Sequence, residues 1–238
     1  MVVTIWNEFR HEKEMEEAKA LYPNGIHACI AEFLKAPDIE IQLASLDEPD
    51  AGLPPEVLER TDVLLWWGHM AHHLVPDDVV RRVVDRVQRG MGFIPLHSAH
   101  KSRPFMALTG CTGNLSWGDN AFTRVFCANP SHPIAKGIPE HFDLGEEEMY
   151  TEPFDIPQPN ELIFANWYRS GYLFRSGFVI KRGRGTIFYF QPGHETCGAY
   201  HHPVVQQIIK NAVRFVAPDH VIPEMGCPQV ADLEPAAK

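Results

Sequence analysis

Four stretches of the chain end an apolar run on imidazoles and acids. In "GFIPLHSAH" (Gly92 to His100) the run stops at His97, and His100 follows three residues later. "TIFYFQPGHET" stops at His194 and Glu195, and "DVLLWWGHMAHH" reaches His69 just past Trp66, Trp67 and Gly68. "VVTIWNEFRH" delivers Asn7, Glu8, Arg10 and His11. Neutral imidazole with a carboxylate is a donor set for zinc or another divalent transition ion. On that reading His97 and His194 bind the metal and the carboxylate is Glu148, Glu195 or Glu8, although the spacing is no compact motif such as HExxH. The same groups suit a general base and acid working on a polyhydroxylated substrate. Arg10 and the Trp66–Trp67 pair would then fix the ligand, aromatic faces being platforms for sugar rings; the ordinary use of such tryptophans is core packing.

Other histidines have plainer uses. His72 and His73 read as a polar loop and helix start, His201 and His202 before Pro203 as the entry to the last helix, and His132 and His141 as loop residues beside prolines.

Groups so far apart in the chain meet only if their strands end at one sheet edge. The order of elements predicts that. Val2 to Asn7 reads as a buried strand, followed by a charged helix over His11 to Leu21 and a second helix after Pro23-Asn24-Gly25. In the second helix Ile26, Cys29, Ile30, Phe33 and Leu34 mark one face. Strands at Ile39–Leu46, Val63–Trp67 and Gly92–Leu96 alternate with a short proline-started helix and a valine-striped helix over Asp77–Arg89. Apolar strands alternating with amphipathic helices imply an α/β fold: a mainly parallel sheet with helices on both faces. In such sheets ligands bind beyond the carboxyl ends of the strands.

After Thr109 the rhythm changes. Residues 110–170 are rich in Gly, Pro, Asn and aromatics, with short strands expected at Phe122–Cys127, Met149–Phe154 and Leu162–Ala165. They read as an insertion on the sheet's edge within a single domain over 1–218. A hairpin over Phe174–Ile180 and Thr186–Gln191 and a helix over His202–Val216 complete it, leaving 219–238 as an aperiodic tail.

Composition narrows the function classes. The formal charge of −10 opposes a nucleic-acid partner, which calls for a basic face. No run approaches the roughly 20 apolar residues of a membrane span, and the start lacks the basic n-region of a signal peptide. Five scattered cysteines, never paired as CxxC, suit free thiols and a cytoplasmic protein. The aromatic character of the insertion hints at a homo-oligomer.

"EFRHE", "YPNGIH", "DVLLWWGHMAHH", "GMGFIPLHSAH", "SHPIAKGI", "EEMYTEPFDIP", "FRSG" and "IFYFQPGHET" together resemble the ThuA (trehalose utilisation) family, from about Val3 to Pro218. The resemblance implies a flavodoxin-like sheet similar to class I glutamine amidotransferases, with a strand–nucleophile–helix elbow. "PLHSAH" presents His97 where those enzymes carry cysteine, and "QPGHE" puts His194 and Glu195 in the places of the supporting triad partners. Glutamine hydrolysis by a thiolate is therefore unsupported. A serine hydrolase using Ser98 or Ser102 is disfavoured too, since "LHSAH" lacks the glycines of a G-x-S-x-G elbow.

What the resemblance implies is sugar catabolism, linked to trehalose, related disaccharides and their 3-keto derivatives, beside a sugar dehydrogenase. The expected protein is a carbohydrate-modifying isomerase, lyase or hydrolase without a nucleotide cofactor. Its metal site is His97, His194 and Glu148, the last resting on the "EEMY" match. His97, His194, Glu195, His69 and Glu8 are the candidate catalytic groups, and Arg10, Trp67, His100 and Tyr150 the candidate substrate contacts. The alternative is a non-catalytic sugar-binding or regulatory subunit of the dehydrogenase.

Overall fold

A computed structural model describes residues 1–231 and 233. Nine strands form one sheet in the order β2-β1-β3-β4-β9-β8-β7-β5-β6. The first five of that order, β2 (Glu40–Ser45), β1 (Val2–Asn7), β3 (Val63–Trp67), β4 (Gly92–Leu96) and β9 (Gly185–Phe190), are parallel. Their order, with β1 inside and the chain reversing direction across the sheet between β1 and β3, is the flavodoxin arrangement. The other four, β8 (Leu173–Arg182), β7 (Glu161–Tyr168), β5 (Ser116–Cys127) and β6 (His141–Thr151), extend it as an antiparallel meander.

Helices cover both faces, as the strand sequences require. Alternate residues of β1 and β3 point to opposite sides, so Ile5 and Leu65 pack against α3 (Ile26–Leu34) and α7 (Pro203–Val216). Trp6, Leu64 and Trp66 pack with α4 (Pro55–Arg60), α5 (Asp77–Arg89) and α6 (Arg103–Thr109) on the other face. Val79, Val83 and Val87 of α5 are fully buried. At about 1.5–3 kcal/mol per buried aliphatic side chain, that stripe alone anchors the helix.

Three local differences from the sequence reading have physical causes. The first charged helix breaks at Met15, whose extended backbone separates α1 (His11–Glu14) from α2 (Glu16–Leu21). The expected short strands of the insertion are twelve, eleven and eight residues long. Their outer faces are exposed and mix polar residues with a few apolar ones, so an apolar pattern marks only part of each. His141 begins β6 rather than lying in a loop.

The early part of the tail packs on the end of α5, where Arg89 donates to the carbonyl of Pro223 at 2.6 Å. The remainder of the 219–238 reading, at 232 and 234–238, lies outside the described residues. Among the described residues no helix is long and apolar enough to cross a membrane.

Candidate active site at the joint of the two half-sheets

The sharpest backbone feature stands at the end of β4. His97 has φ of 50°, a left-handed conformation that an L-residue adopts only under constraint, and a 3-10 turn follows at His97–Lys101. This is the elbow that the family resemblance implies. The Tyr189 hydroxyl holds it from behind, donating to the His97 carbonyl at 2.8 Å.

His69 from the end of β3, His97 from β4, Glu148 from β6 and His194 just after β9 converge there. Each offers one ligand atom, and these atoms all lie within 4.8 Å of one another. The imidazole centroids are 5.3 Å apart for His97–His194, 5.4 Å for His69–His194 and 5.5 Å for His69–His97.

Hydrogen bonds set the state of each ring. His97 Nδ1 faces the Gln191 carbonyl at 2.9 Å, so it carries a proton and leaves Nε2 facing Glu148. His69 Nδ1 donates to Glu195 Oε2 at 2.9 Å, which leaves its Nε2 free. Carboxylate–imidazole pairs of this kind fix the tautomer of metal-binding histidines. His194 differs. Its Nδ1 accepts the Thr196 N–H at 3.2 Å, so the neutral ring carries its proton on Nε2, 3.4 Å from Glu195 Oε1.

Glu148 supplies the critical detail. Its buried Oε2 makes no hydrogen bond, yet it lies 3.0 Å from His97 Nε2. Two lone pairs that close repel unless a proton or a cation lies between them. Burial opposes charge on both groups, but each stabilises the other's ion, so His97 is shifted up and Glu148 down.

Three further carboxylates brace the site. Glu8, 1% exposed, accepts the backbone N–H groups of His69, Met70 and Ala71 at 2.8–3.0 Å and so shapes the turn that presents His69. Glu147 accepts the N–H groups of Gly193 and His194, both at 3.0 Å, and burial pushes its carboxyl up to about 7. Burial also raises Glu195, but His69, His194 and His11 outweigh it and bring that group down to about 2. Glycine is required at 193: φ is 139°, and a Cβ would stand 2.1 Å from the Tyr200 hydroxyl.

The remaining expected residues divide. Tyr150 belongs to the site, its hydroxyl 3.4 Å from His97 Nε2 and 2.7 Å from Ser98 Oγ. Trp67 is no platform: it is 1% exposed, and its Nε1 donates to the Gly193 carbonyl at 3.0 Å, beneath the site. Trp66 is wholly buried. His100 is buried too, donating from Nδ1 to the Gly113 carbonyl at 2.7 Å, so it supports Tyr150 rather than touching a ligand. Arg10 is tied to Asp47 at 2.7 Å on the β2 side. Glu8 is a positioning group, both of its oxygens being occupied by backbone amides. Ser102 caps α6, accepting from Phe105 N.

Sequence reasoning named His11 at the first strand end without giving it a role, and gave none to Glu147 or Gln191. His11 lies 3.4 Å from Glu195 Oε1, and His11, His69 and Glu195 form a second converging group. Its signal was present in "NEFRH", one residue beyond the Arg10 that was preferred. Glu147 is hidden in an acidic run of three, and since Glu147 and its neighbour Glu148 are both buried, simple strand alternation does not pick it out. None of the free cysteines belongs to either converging group.

The model of the family described as "Trehalose utilisation" matches residues 2–216. The chain belongs to the ThuA family. Among solved structures, a ThuA-like protein from Parabacteroides merdae superposes with a TM-score of 0.68 at 14% identity, covering 94% of this chain and 92% of that one. A ThuA-like protein from Bacteroides uniformis gives 0.65 at 16% identity, covering 91% of each. A cytoplasmic protein from Salmonella typhimurium gives 0.63 at 11% identity, covering 92% of this chain and all of that one. At these identities the likeness is one of fold. No curated protein matches the chain. Within the ThuA fold, the elbow carries an imidazole, and the site is built of histidines and acids.

Proposed function

We propose that this protein is a carbohydrate-modifying enzyme of the cytoplasm, in which a divalent metal, zinc by donor chemistry, works with acid–base groups on a sugar. The observation that carries this is the buried Glu148 Oε2, 3.0 Å from His97 Nε2, with ligand atoms of His69 and His194 converging on the same point. One proton could reconcile that single pair, but further ligand atoms converge on the same point. Tetrahedral bonds of about 2.0–2.1 Å separate ligand atoms by about 3.3 Å, a spacing this cluster can meet.

His69, His97 and Glu148 fit as the ligands. His194, expected among them, is better used otherwise, because Thr196 keeps its lone pair occupied. A metal held there would polarise a ketone or acidify a water. His194 is driven down to about 4, mainly by burial and then by His97, so it is neutral at physiological pH. Its Nε2–H then serves as a neutral hydrogen-bond donor to a substrate oxygen, a role imidazole fills in other enzymes. Tyr150 offers a second hydroxyl at the same point.

The family's link to trehalose directs the substrate. In a 3-keto sugar the ketone acidifies the neighbouring C–H, so polarising that oxygen promotes isomerisation or elimination. A sugar dehydrogenase would supply such a compound.

Metal analysis of protein purified without chelators, with NMR of 3-keto-glycosides during incubation, tests the reading. One ion per chain is expected, lost in His97→Ala and Glu148→Gln together with at least a 100-fold fall in turnover. Keto-sugars left unchanged with every divalent metal would overturn the catalytic reading. Binding of the sugar without conversion would point instead to a binding subunit.

A further inference from the structure

Trp117 stands apart from the aromatics around the site. It is 70% exposed, whereas Trp6, Trp66 and Trp67 are buried. It lines an open cleft of about 450 Å³ whose other walls are Gly118, Asp119, Asn120, Glu148 and His194. That cleft leads directly to the cluster, and its size suits a small-molecule ligand.

The register of β5 explains how Trp117 comes to be there. Trp117 pairs with Tyr150 and Asn120 pairs with Glu148. Residues paired across an antiparallel ladder share a face, and Glu148 and Tyr150 both reach the cluster from that face. In a regular strand, positions 117 and 120 would point to opposite sides. A shift of register between Gly118 and Asn120 inserts Asp119 as an extra residue. That bulge turns both Trp117 and Asn120 toward the site, the use to which bulges beside active sites are put.

We infer that Trp117, with Asp119 and Asn120, forms a pyranose subsite: the indole takes the C–H face of a sugar ring, and the acid and amide take its hydroxyls. An apolar face beside a few polar groups matches the amphipathic faces of a pyranose, whereas a purely apolar ligand would leave the acid and amide unpaired. The inference rests on the carbohydrate reading of the adjacent cluster and names where the sugar lies.

Titration calorimetry of zinc-loaded protein with trehalose as a non-reacting probe tests it, alongside metal content and acrylamide quenching of tryptophan fluorescence. In the wild type, sugar should bind and shield one accessible indole. Trp117→Ala should weaken binding at least tenfold, Trp117→Phe about threefold or less, and neither should lose metal, since Trp117 is no ligand. Wild-type binding that Trp117→Ala leaves unchanged would sink the subsite alone. A wild type that binds neither trehalose nor keto-sugars would sink the carbohydrate reading with it. A change of mass in solution in Trp117→Ala, with sugar affinity intact, would make Trp117 a contact between copies of this chain and overturn the proposal.

Discussion

In the parallel half of the sheet, Glu8 and Glu195 are 1% and 2% exposed, and each is committed to backbone amides or imidazoles. In the antiparallel half, Arg124 pairs with Asp143 at 2.6 Å with both side chains more than a third exposed. Both are charged contacts made at strands, but they do different work. Strands β1, β3, β4 and β9 are covered by helices on both faces, so polar groups at their ends are withdrawn from water and must be satisfied by protein. That cost is what holds His69 and His97 in one tautomer and orientation. The meander is covered less completely and can carry exposed groups such as Trp117. The buried half thus fixes the reacting groups, while the exposed half contributes Glu148 and the approach to them.

The largest expected contrast is in stability. Glu8→Ala strands the buried amide of Ala71 and the part-buried amides of His69 and Met70 and should lower unfolding free energy by about 2 kcal/mol, read from urea midpoints, whereas Asp143→Ala should cost less than about 0.5 kcal/mol. Equal losses would break the comparison.

Next comes orientation without ligation. Glu195→Gln should weaken zinc about 10- to 100-fold in chelator competition with the fold intact. Unchanged affinity would mean that His69 needs no carboxylate behind it.

A third test uses pH. Burial is the main force bringing His100 down to about 3, while an unfolded histidine titrates near about 6.5. Between these values the unfolded chain takes up a proton that the folded one refuses. Stability should therefore be complete above about pH 6.5 and fall as pH drops toward 3, by up to about 1.4 kcal/mol per unit from this group. His100→Gln should flatten that slope, and an unaltered slope would show that His100 is already open to water. The smallest effect belongs to Arg10→Ala, an exposed pair with Asp47, expected to change stability by less than about 0.5 kcal/mol and leave turnover within about twofold.

Much of this was legible in the chain. Valine and isoleucine runs broken by amphipathic helices required a covered parallel sheet, because no other arrangement buries both sides of each strand. His97, His69, His194 and Glu195 followed from the rule that strand ends converge. Arg10 and Trp67 show where the rule stops. The end of a strand locates a residue at the edge, but the direction of its side chain depends on neighbours from elsewhere, here Asp47 and the Gly193 carbonyl. Trp117 was hidden for the same reason, since a bulge is defined by two strands and cannot be seen in one.

Periodicity and residue type alone determined the layers of the fold, because these depend on what each segment must bury, whereas the elbow at His97 was implied by the family resemblance. Tertiary structure alone decided which imidazole nitrogen carries a proton, that Glu147 and Glu148 are buried while Glu146 is exposed, and which tryptophan meets the cleft. Those are questions of distance between groups remote in sequence, and only packing sets such distances.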